Sequence, residues 1–154
     1  MHRTRHVHLC CQVLLELQIE NSDHSSLMQH VRGLHHVTAI AGPAQENLDF
    51  YAGVLGMRLV KKSVNQDDPT TYHLFYADGE GHPGTDLTFF PWTQMAPSRR
   101  GYGLSTEVSV AVPLGSLSFW NTRLDNYGAT IFSPETKFGQ HVLPLADAHG
   151  LRVD

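Results

Sequence analysis

The 154-residue sequence predicts an α+β protein built from two tandem βαβββ modules, the second of which stops within its last strand. The first observation is that the order strand, helix and three strands occurs twice. The second is a repeat, because a shift of 69 positions superposes four apolar or aromatic residues of one predicted helix on four of the other. These pairs are Leu48 with Leu117, Phe50 with Phe119, Tyr51 with Trp120 and Leu55 with Leu124.

Changes in composition divide the chain into four segments. Residues 1–31 differ in character from the rest of the chain and are predicted to be a poorly ordered N-terminal extension. The first module spans 32–93, a Pro- and Gly-rich linker spans 94–103, and the incomplete second module spans 104–154. Because Met28 stands just before the first strand, we expect natural translation to begin there.

The first module begins with a strand over 34–40, rich in apolar and β-branched residues. Pro43 suits the first helical position, Leu48, Tyr51 and Leu55 form one apolar stripe, and Gly56 suits the helix end. Turn-forming residues then separate three further strands, which are predicted at 57–64, 71–77 and 85–90.

The second module is predicted to repeat this order. A strand over 105–112 precedes a helix that Ser116 caps and Gly128 ends. The helix residues predicted to be buried are Leu117, Trp120, Leu124 and Tyr127. Three strands come next, at 129–132, at 140–145 and from 151 onward. The last has four residues before the chain stops, whereas about five or six are usual.

Composition excludes several functional classes. Eleven Lys and Arg residues against fifteen Asp and Glu give a net charge of −4, so no basic surface for nucleic acid is expected. No apolar run approaches the roughly 20 residues that cross a bilayer, and a soluble, cytoplasmic protein is expected. The adjacent Cys10 and Cys11 cannot form a disulfide framework, and with His6 and His8 they match no usual zinc spacing.

Alternation along the first strand singles out one histidine. With Val37 and Ala39 packed on the helix, His36 and Thr38 face the concave side of the sheet, and strict alternation points His35 the other way. A neutral imidazole in that position is a good ligand for a divalent transition metal. A buried histidine bonded to a neighbouring backbone group is the structural alternative, and residue type alone favours it.

The local sequence resembles the first module of the vicinal oxygen chelate superfamily, which includes glyoxalases, bleomycin-resistance proteins and extradiol dioxygenases. The motifs are GLHHVT at 33–38, LDFY at 48–51 and VLGM at 54–57. A narrower resemblance is to its ring-cleaving dioxygenases that act on hydroquinones. The motifs of this second match are LVKKSVN at 59–65, DPTTYHL at 68–74, PGT at 83–85 and LTFFPW at 87–92.

The resemblance implies an Fe(II) site, with Mn(II) as the alternative, formed by two histidines and one carboxylate and acting on a small aromatic substrate and O2. It implies that His36 binds the metal and that His35 and Thr38 assist catalysis beside it. Substrate-lining positions are assigned to His73, Tyr72 and Phe75.

Two ligands of that set are missing. The 69- or 70-residue shift carries His36 onto Ser105 or Thr106, and Thr88 stands where glyoxalases have a carboxylate. Glu107 and Asp154 remain as candidate ligands, although a frayed end is expected at Asp154. Full-length members of the hydroquinone branch have four modules, so the resemblance implies an N-terminal half that binds iron weakly and is inactive alone. Exposed strand edges of a half-built barrel would favour self-association, for example as a homodimer through module pairing.

Two other functions stay open. A metal-independent binding module of the bleomycin-resistance type would hold a flat aromatic ligand between two chains, using Tyr72, Phe75, Trp92 and Trp120. A glyoxalase-like isomerase would need Zn or Ni and a second carboxylate, and the absence of an acid at Thr88 counts against it.

Overall fold

The first module forms a five-stranded sheet with one helical segment on one side of it. The structure is a computed structural model that describes residues 14–20, 30–94 and 101–154, with backbone alone at 14–20 and 30–32. Its elements are β1 (Leu14–Glu20), β2 (His30–Ala41), α1 (Ala44–Leu48), a π-helical segment (Asp49–Val54), β3 (Arg58–Val64), β4 (Tyr72–Ala77) and β5 (Asp86–Pro91). The strand order is β1-β2-β5-β4-β3, and β2 and β5 run parallel.

The helical segment lies close to its predicted position but is not a regular α-helix. After α1 the backbone widens into the π-helical turn, so that Leu55 N–H donates to the Phe50 carbonyl, five residues back, at 2.9 Å. Gly56 then adopts a φ of +72°, which ends the helix as its position in the sequence predicted. The wider turn keeps both Phe50 and Tyr51 buried against the sheet.

The second module has shorter strands and one hairpin more than the sequence predicted. Its elements are β6 (Glu107–Val108), α2 (Leu117–Asn126), β7 (Thr130–Ile131), β8 (Glu135–Lys137), β9 (Gln140–Val142), β10 (Leu145–Ala146) and β11 (Arg152–Val153). The strand predicted at 140–145 is divided at Pro144, whose nitrogen cannot donate to a sheet. Its first half pairs with β8 in a separate hairpin, and the remaining strands form a sheet of order β6-β11-β10-β7.

Two details of α2 differ from prediction. The Ser116 hydroxyl does not cap the helix, because it donates backward to the Pro113 carbonyl at 2.7 Å. Leu124 is fully buried, but Tyr127 at the helix end is 56% exposed, with the Arg123 guanidinium over its ring. The fold class itself, α+β with two βαβββ modules, is confirmed.

The modules pack through their helical sides and share one core. Tyr51 of the first module donates from its buried hydroxyl to Asp147 of the second at 3.0 Å. Arg123 on α2 donates to the carbonyls of Val54 and Gly53 at 2.7 and 2.8 Å, at the end of the π-helical segment. No strand of one module pairs with a strand of the other in the described ranges. The face of each sheet that points away from this core is therefore available to form a separate site.

Part of the N-terminal extension is a strand. The poorly ordered segment was predicted to reach residue 31, yet β1 lies within it and pairs antiparallel with β2, which itself begins at His30. Residues 1–13 and 21–29 lie outside the described residues, and with them His6, His8, both cysteines and Met28. Neither helix in the described part of the chain is long and apolar enough to cross a membrane.

Candidate functional site

The site residues lie on the side of the first sheet that faces away from the core, called here the site face. In the parallel pairing of β2 with β5, His36 lies opposite Asp86 and Thr38 opposite Thr88. Residues opposite each other in register point to the same side of a sheet. The antiparallel neighbour β4 adds two residues to this face. Phe75 lies opposite Thr88, and His73 is two residues before Phe75 on the same strand. The residues between them, such as Ala39, Leu87 and Phe89, are buried in the core.

His35 does not follow strict alternation. The pairing of β1 with β2 runs from Glu16 opposite His36 directly to Leu17 opposite Leu34, so His35 is an extra residue in β2. A β-bulge of this kind turns the strand and redirects a side chain. The two histidine Nδ1 atoms consequently lie 3.0 Å apart, with their rings at 79°. The expectation that His35 points away from His36 was wrong, and the bulge is the reason.

Asp86 is a carboxylate that sequence reasoning missed. It lies opposite His36, two residues before Thr88 on the same face of β5, and its Oδ1 atom is buried without a hydrogen-bond partner among the described residues. Burial raises the pKa of Asp86, while the nearby His35 and His36 act in the opposite direction. Alternation along β5 places Asp86 on the same face as Thr88, so the signal for this residue is present in the sequence.

Two buried threonines and a histidine form a hydrogen-bonded chain across three strands. Thr38 Oγ1 and Thr88 Oγ1 lie 2.7 Å apart, and His73 Nε2 lies 2.9 Å from the same Thr88 oxygen. Thr38 is 2% exposed and Thr88 0% exposed. The position where a glyoxalase carboxylate was sought therefore holds a hydroxyl at the centre of a polar chain that ends at Thr38.

Aromatic rings cover the rest of the site face. Phe75 contacts His36 edge-on, with ring centroids 6.0 Å apart, and lies 4.0 Å from His73. The His73 ring also lies 4.3 Å from Phe90, and the Lys61 ammonium sits 5.0 Å from the Phe75 ring. This wall of rings beside polar groups suits a flat aromatic molecule.

Two aromatic residues predicted to contact a ligand do not lie there. Tyr72 belongs to the other face of β4, with Leu74 and Tyr76, and its ring lies under the Lys62 ammonium at 4.0 Å. Trp120 packs against the shared core. Trp92 follows β5 and its ring centroid lies 5.6 Å from that of Phe90, while its indole N–H donates to Asp68 at 3.1 Å. Of the four proposed contacts of the binding-module alternative, Phe75 is on the site face and Trp92 is at its end.

The acids of the second module are occupied by cations. Lys137 Nζ lies 2.6 Å from Glu107 and also contacts Asp154, while Arg152 Nε donates to Asp154 at 2.8 Å. The Asp154 side chain is fully buried, so the expected frayed end was wrong. Burial raises the pKa of Asp154, but the hydrogen bonds from Lys137 and Arg152 outweigh it and hold that pKa below its ordinary value. Neither acid lies on the sheet that carries His36.

Imidazole nitrogen and carboxylate oxygen are donors that Fe(II) and Mn(II) accept, and the first module offers both types at His36 and Asp86. The unpartnered Asp86 oxygen fits a cation or a ring N–H. In the described ranges, however, no three His, Cys, Asp or Glu side chains converge closely enough to hold a metal ion. The described residues of the site face therefore suit part of a metal site but do not complete one.

Comparison with known proteins agrees with this fold and these motifs. Residues 33–131 match the Glyoxalase/Bleomycin resistance protein/Dioxygenase superfamily. MhqO of Bacillus subtilis (strain 168), named as a candidate ring-cleaving dioxygenase, is 47% identical over 122 residues, which are 79% of this chain and 39% of MhqO. The chlorohydroquinone/hydroquinone 1,2-dioxygenase of Sphingobium indicum is 39% identical over 119 residues, 76% of this chain and 37% of that protein.

Solved structures extend the comparison. A crystal structure of a candidate dioxygenase from Bacillus subtilis superposes with a TM-score of 0.71 at 45% identity, over 77% of this chain and 38% of that one. A glyoxalase family protein from Enterococcus faecalis shares the fold, with a TM-score of 0.63 at 19% identity, over 79% of this chain and 94% of that one. The chain spans well under half the length of the curated relatives that it matches.

Proposed function

Because this chain belongs to the Glyoxalase/Bleomycin resistance protein/Dioxygenase superfamily, we propose that it forms part of a metal-dependent dioxygenase that cleaves the ring of hydroquinone-like aromatics. One observation carries the proposal. His36 lies on a face lined by aromatic rings, opposite an acid whose buried oxygen has no hydrogen-bond partner among the described residues.

The metal would be Fe(II), with Mn(II) as the alternative, bound by His36. When bound, such an ion supplies open positions at which a substrate oxygen and O2 come together. Asp86 takes part in either of two ways, by binding the cation or by accepting a ring N–H from His35 or His36, which fixes the imidazole. Both satisfy the oxygen that is otherwise unpartnered.

The remaining residues of the site face handle the substrate. The Phe75 and His73 rings lie 4.0 Å apart and offer an apolar wall on which an aromatic ring packs. Thr38 holds a hydroxyl two residues from His36 on the same face, where it can hydrogen-bond a substrate oxygen. His35, brought beside His36 by the bulge, is placed to exchange a proton with it.

The site is incomplete in the described residues, so the remaining ligands come from another module, in a longer chain or a partner molecule. We therefore expect weak binding of Mn(II) by the 154-residue chain and no ring cleavage by it alone. The direct measurement is anaerobic titration with Mn(II), monitored by electron paramagnetic resonance, together with oxygen uptake on adding Fe(II) and hydroquinone.

The matched control uses two histidines of different placement. His36→Ala should abolish the weak Mn(II) binding, and His141→Ala, at an exposed position on β9, should leave it unchanged. Equal Mn(II) affinity in wild type and His36→Ala would contradict the metal role. Tight stoichiometric iron with ring opening would contradict the claim that the site is incomplete.

The absence of a convergent metal triad in the described part also favours a second candidate, a metal-independent binder of aromatic molecules. Hydroquinone binding can be monitored by NMR in the presence of a chelator, with cyclohexane-1,4-diol as the non-aromatic control. Binding that survives both chelation and His36→Ala supports this second function. Binding that needs metal and His36 supports the dioxygenase.

A further inference from the structure

We infer that His73 is a positioning residue, which acts through Thr88 to make the Thr38 hydroxyl a hydrogen-bond donor toward the site. The purpose of this arrangement rests on the proposed function, in which Thr38 meets a substrate oxygen. The observation itself is the buried chain of three polar groups, with contacts of 2.9 Å from His73 to Thr88 and 2.7 Å from Thr88 to Thr38.

Thr88 is buried and its hydroxyl contacts Thr38 and His73, so two arrangements of this chain also use the Thr88 proton. A threonine hydroxyl has one proton to donate, and a neutral imidazole carries its proton on one nitrogen. If His73 Nε2 carries the proton, it donates to Thr88, Thr88 donates to Thr38, and the Thr38 proton is left to point into the site. If Nε2 is bare, every bond reverses, and Thr38 must donate its own proton to Thr88.

Burial makes the coupling strict. Thr88 is 0% exposed, so water does not compete for the hydroxyl that links the other two groups. In such surroundings an unmade hydrogen bond is costly enough to hold the chain in one direction. A carboxylate in place of Thr88 could only accept from both neighbours and would lose this direction.

The acceptors around Thr38 select the first arrangement. Asp86 lies two residues from Thr88 on the same face, and its carboxylate is an acceptor with an oxygen that has no described partner. A phenolic oxygen bound beside His36 would be a second acceptor. No hydrogen bond joins Thr38 to Asp86 Oδ1 among the described residues, but the nearby negative charge favours a Thr38 proton that points into the site, and a phenolic oxygen can accept that proton. In the second arrangement Thr38 would present only lone pairs to the site.

Long-range proton–nitrogen NMR of the imidazoles tests this in the metal-free chain. We expect His73 to be the Nε2–H tautomer, with exposed His141 in the same spectrum as the unconstrained reference. Thr88→Val should remove the preference and Thr88→Ser should keep it. A bare Nε2 at His73, or a tautomer unaffected by Thr88→Val, would overturn the inference.

Binding of 4-nitrophenolate measures the consequence at Thr38. His73→Gln retains an N–H donor, whereas His73→Glu, when ionised, can only accept. Both variants remove the imidazole ring from the apolar wall, so they are compared with each other. We expect His73→Glu to bind roughly ten-fold more weakly than His73→Gln, the equivalent of one hydrogen bond. Equal affinities in the two variants would contradict the inference. The tautomer is measured without metal or substrate, so equal Mn(II) affinity in wild type and His36→Ala would contradict the proposed function and leave this result standing.

Discussion

The two modules share a scaffold, but the acid that each carries, Asp86 or Asp154, has opposite electrostatic surroundings. Each acid lies at the parallel strand pair of its module, β2 with β5 or β6 with β11. Burial raises the pKa of Asp86, and the neighbouring histidines do not reverse that shift. Burial also raises the pKa of Asp154, but Lys137 and Arg152 reverse the shift.

Asp86 therefore has an oxygen that can accept a ligand, whereas the oxygens of Asp154 already accept hydrogen bonds from cations. A buried oxygen without a partner costs free energy, and natural sites retain such groups where a ligand supplies the partner. Asp154 has a cationic partner on each of its two carboxylate oxygens. The first sheet therefore carries the candidate site, and the charged face of the second is held together by its own ion pairs.

The largest expected effect tests whether the two modules, which differ in the charges around their acids, also unfold separately. Leu124 is 1% exposed in the core that both modules share. Leu124→Ala should lower the free energy of unfolding by about 3 kcal/mol and move one cooperative transition. Thermal unfolding monitored by circular dichroism measures this, with exposed Phe138→Ala as the control. Two transitions, only one of them displaced, would show modules that fold independently.

The next effect concerns the hydrogen bond between modules. Tyr51→Phe removes the hydroxyl that donates to Asp147 and leaves a buried carboxylate oxygen without that donor. We expect a loss of about 2 kcal/mol in urea unfolding, because a charged acceptor loses a buried bond. Tyr127→Phe, at an exposed position on α2, is the matched control. An unchanged midpoint would mean that the contact between modules does not depend on this bond.

The sequence predicted the modules and the face of His36 because strand alternation and a 69-residue repeat are local patterns. It could not predict that the His35 side chain lies beside His36, since the bulge arises from pairing with β1, a strand expected to be poorly ordered. Nor could it predict the fate of Asp154. That residue is buried between β6, whose backbone it pairs with, and Lys137 of β8, and neither contact is a local pattern in the sequence. Asp86, by contrast, could be found from alternation along β5 and was overlooked.

A smaller effect sharpens the contrast at Asp86. Asp86→Asn removes the charge of a partly exposed carboxylate that has one buried oxygen without a partner among the described residues, so we expect unfolding stability at neutral pH to rise, by less than about 1 kcal/mol. The same change should weaken Mn(II) binding, the usual exchange of function for stability at a site. Asp125→Asn, on the exposed side of α2, is the control for loss of a negative charge. A less stable Asp86→Asn variant would show that the carboxylate is satisfied in the folded protein.

The smallest effect is the acid response of Asp154, whose pKa lies below its ordinary value of 3.8 in the folded chain. A carboxyl group with a lowered folded pKa contributes stability above its unfolded pKa, and the contribution is lost as pH falls through the folded value. Asp154→Asn should therefore be less stable than wild type at neutral pH, and the difference should shrink below pH 3.8. Urea midpoints measured at falling pH test it, and high salt should reduce the difference at neutral pH because Lys137 and Arg152 are partly exposed. A gap between variant and wild type that is independent of pH would show that packing, and not the ion pairs, holds Asp154, and the electrostatic contrast between the modules would then rest on Asp86 alone.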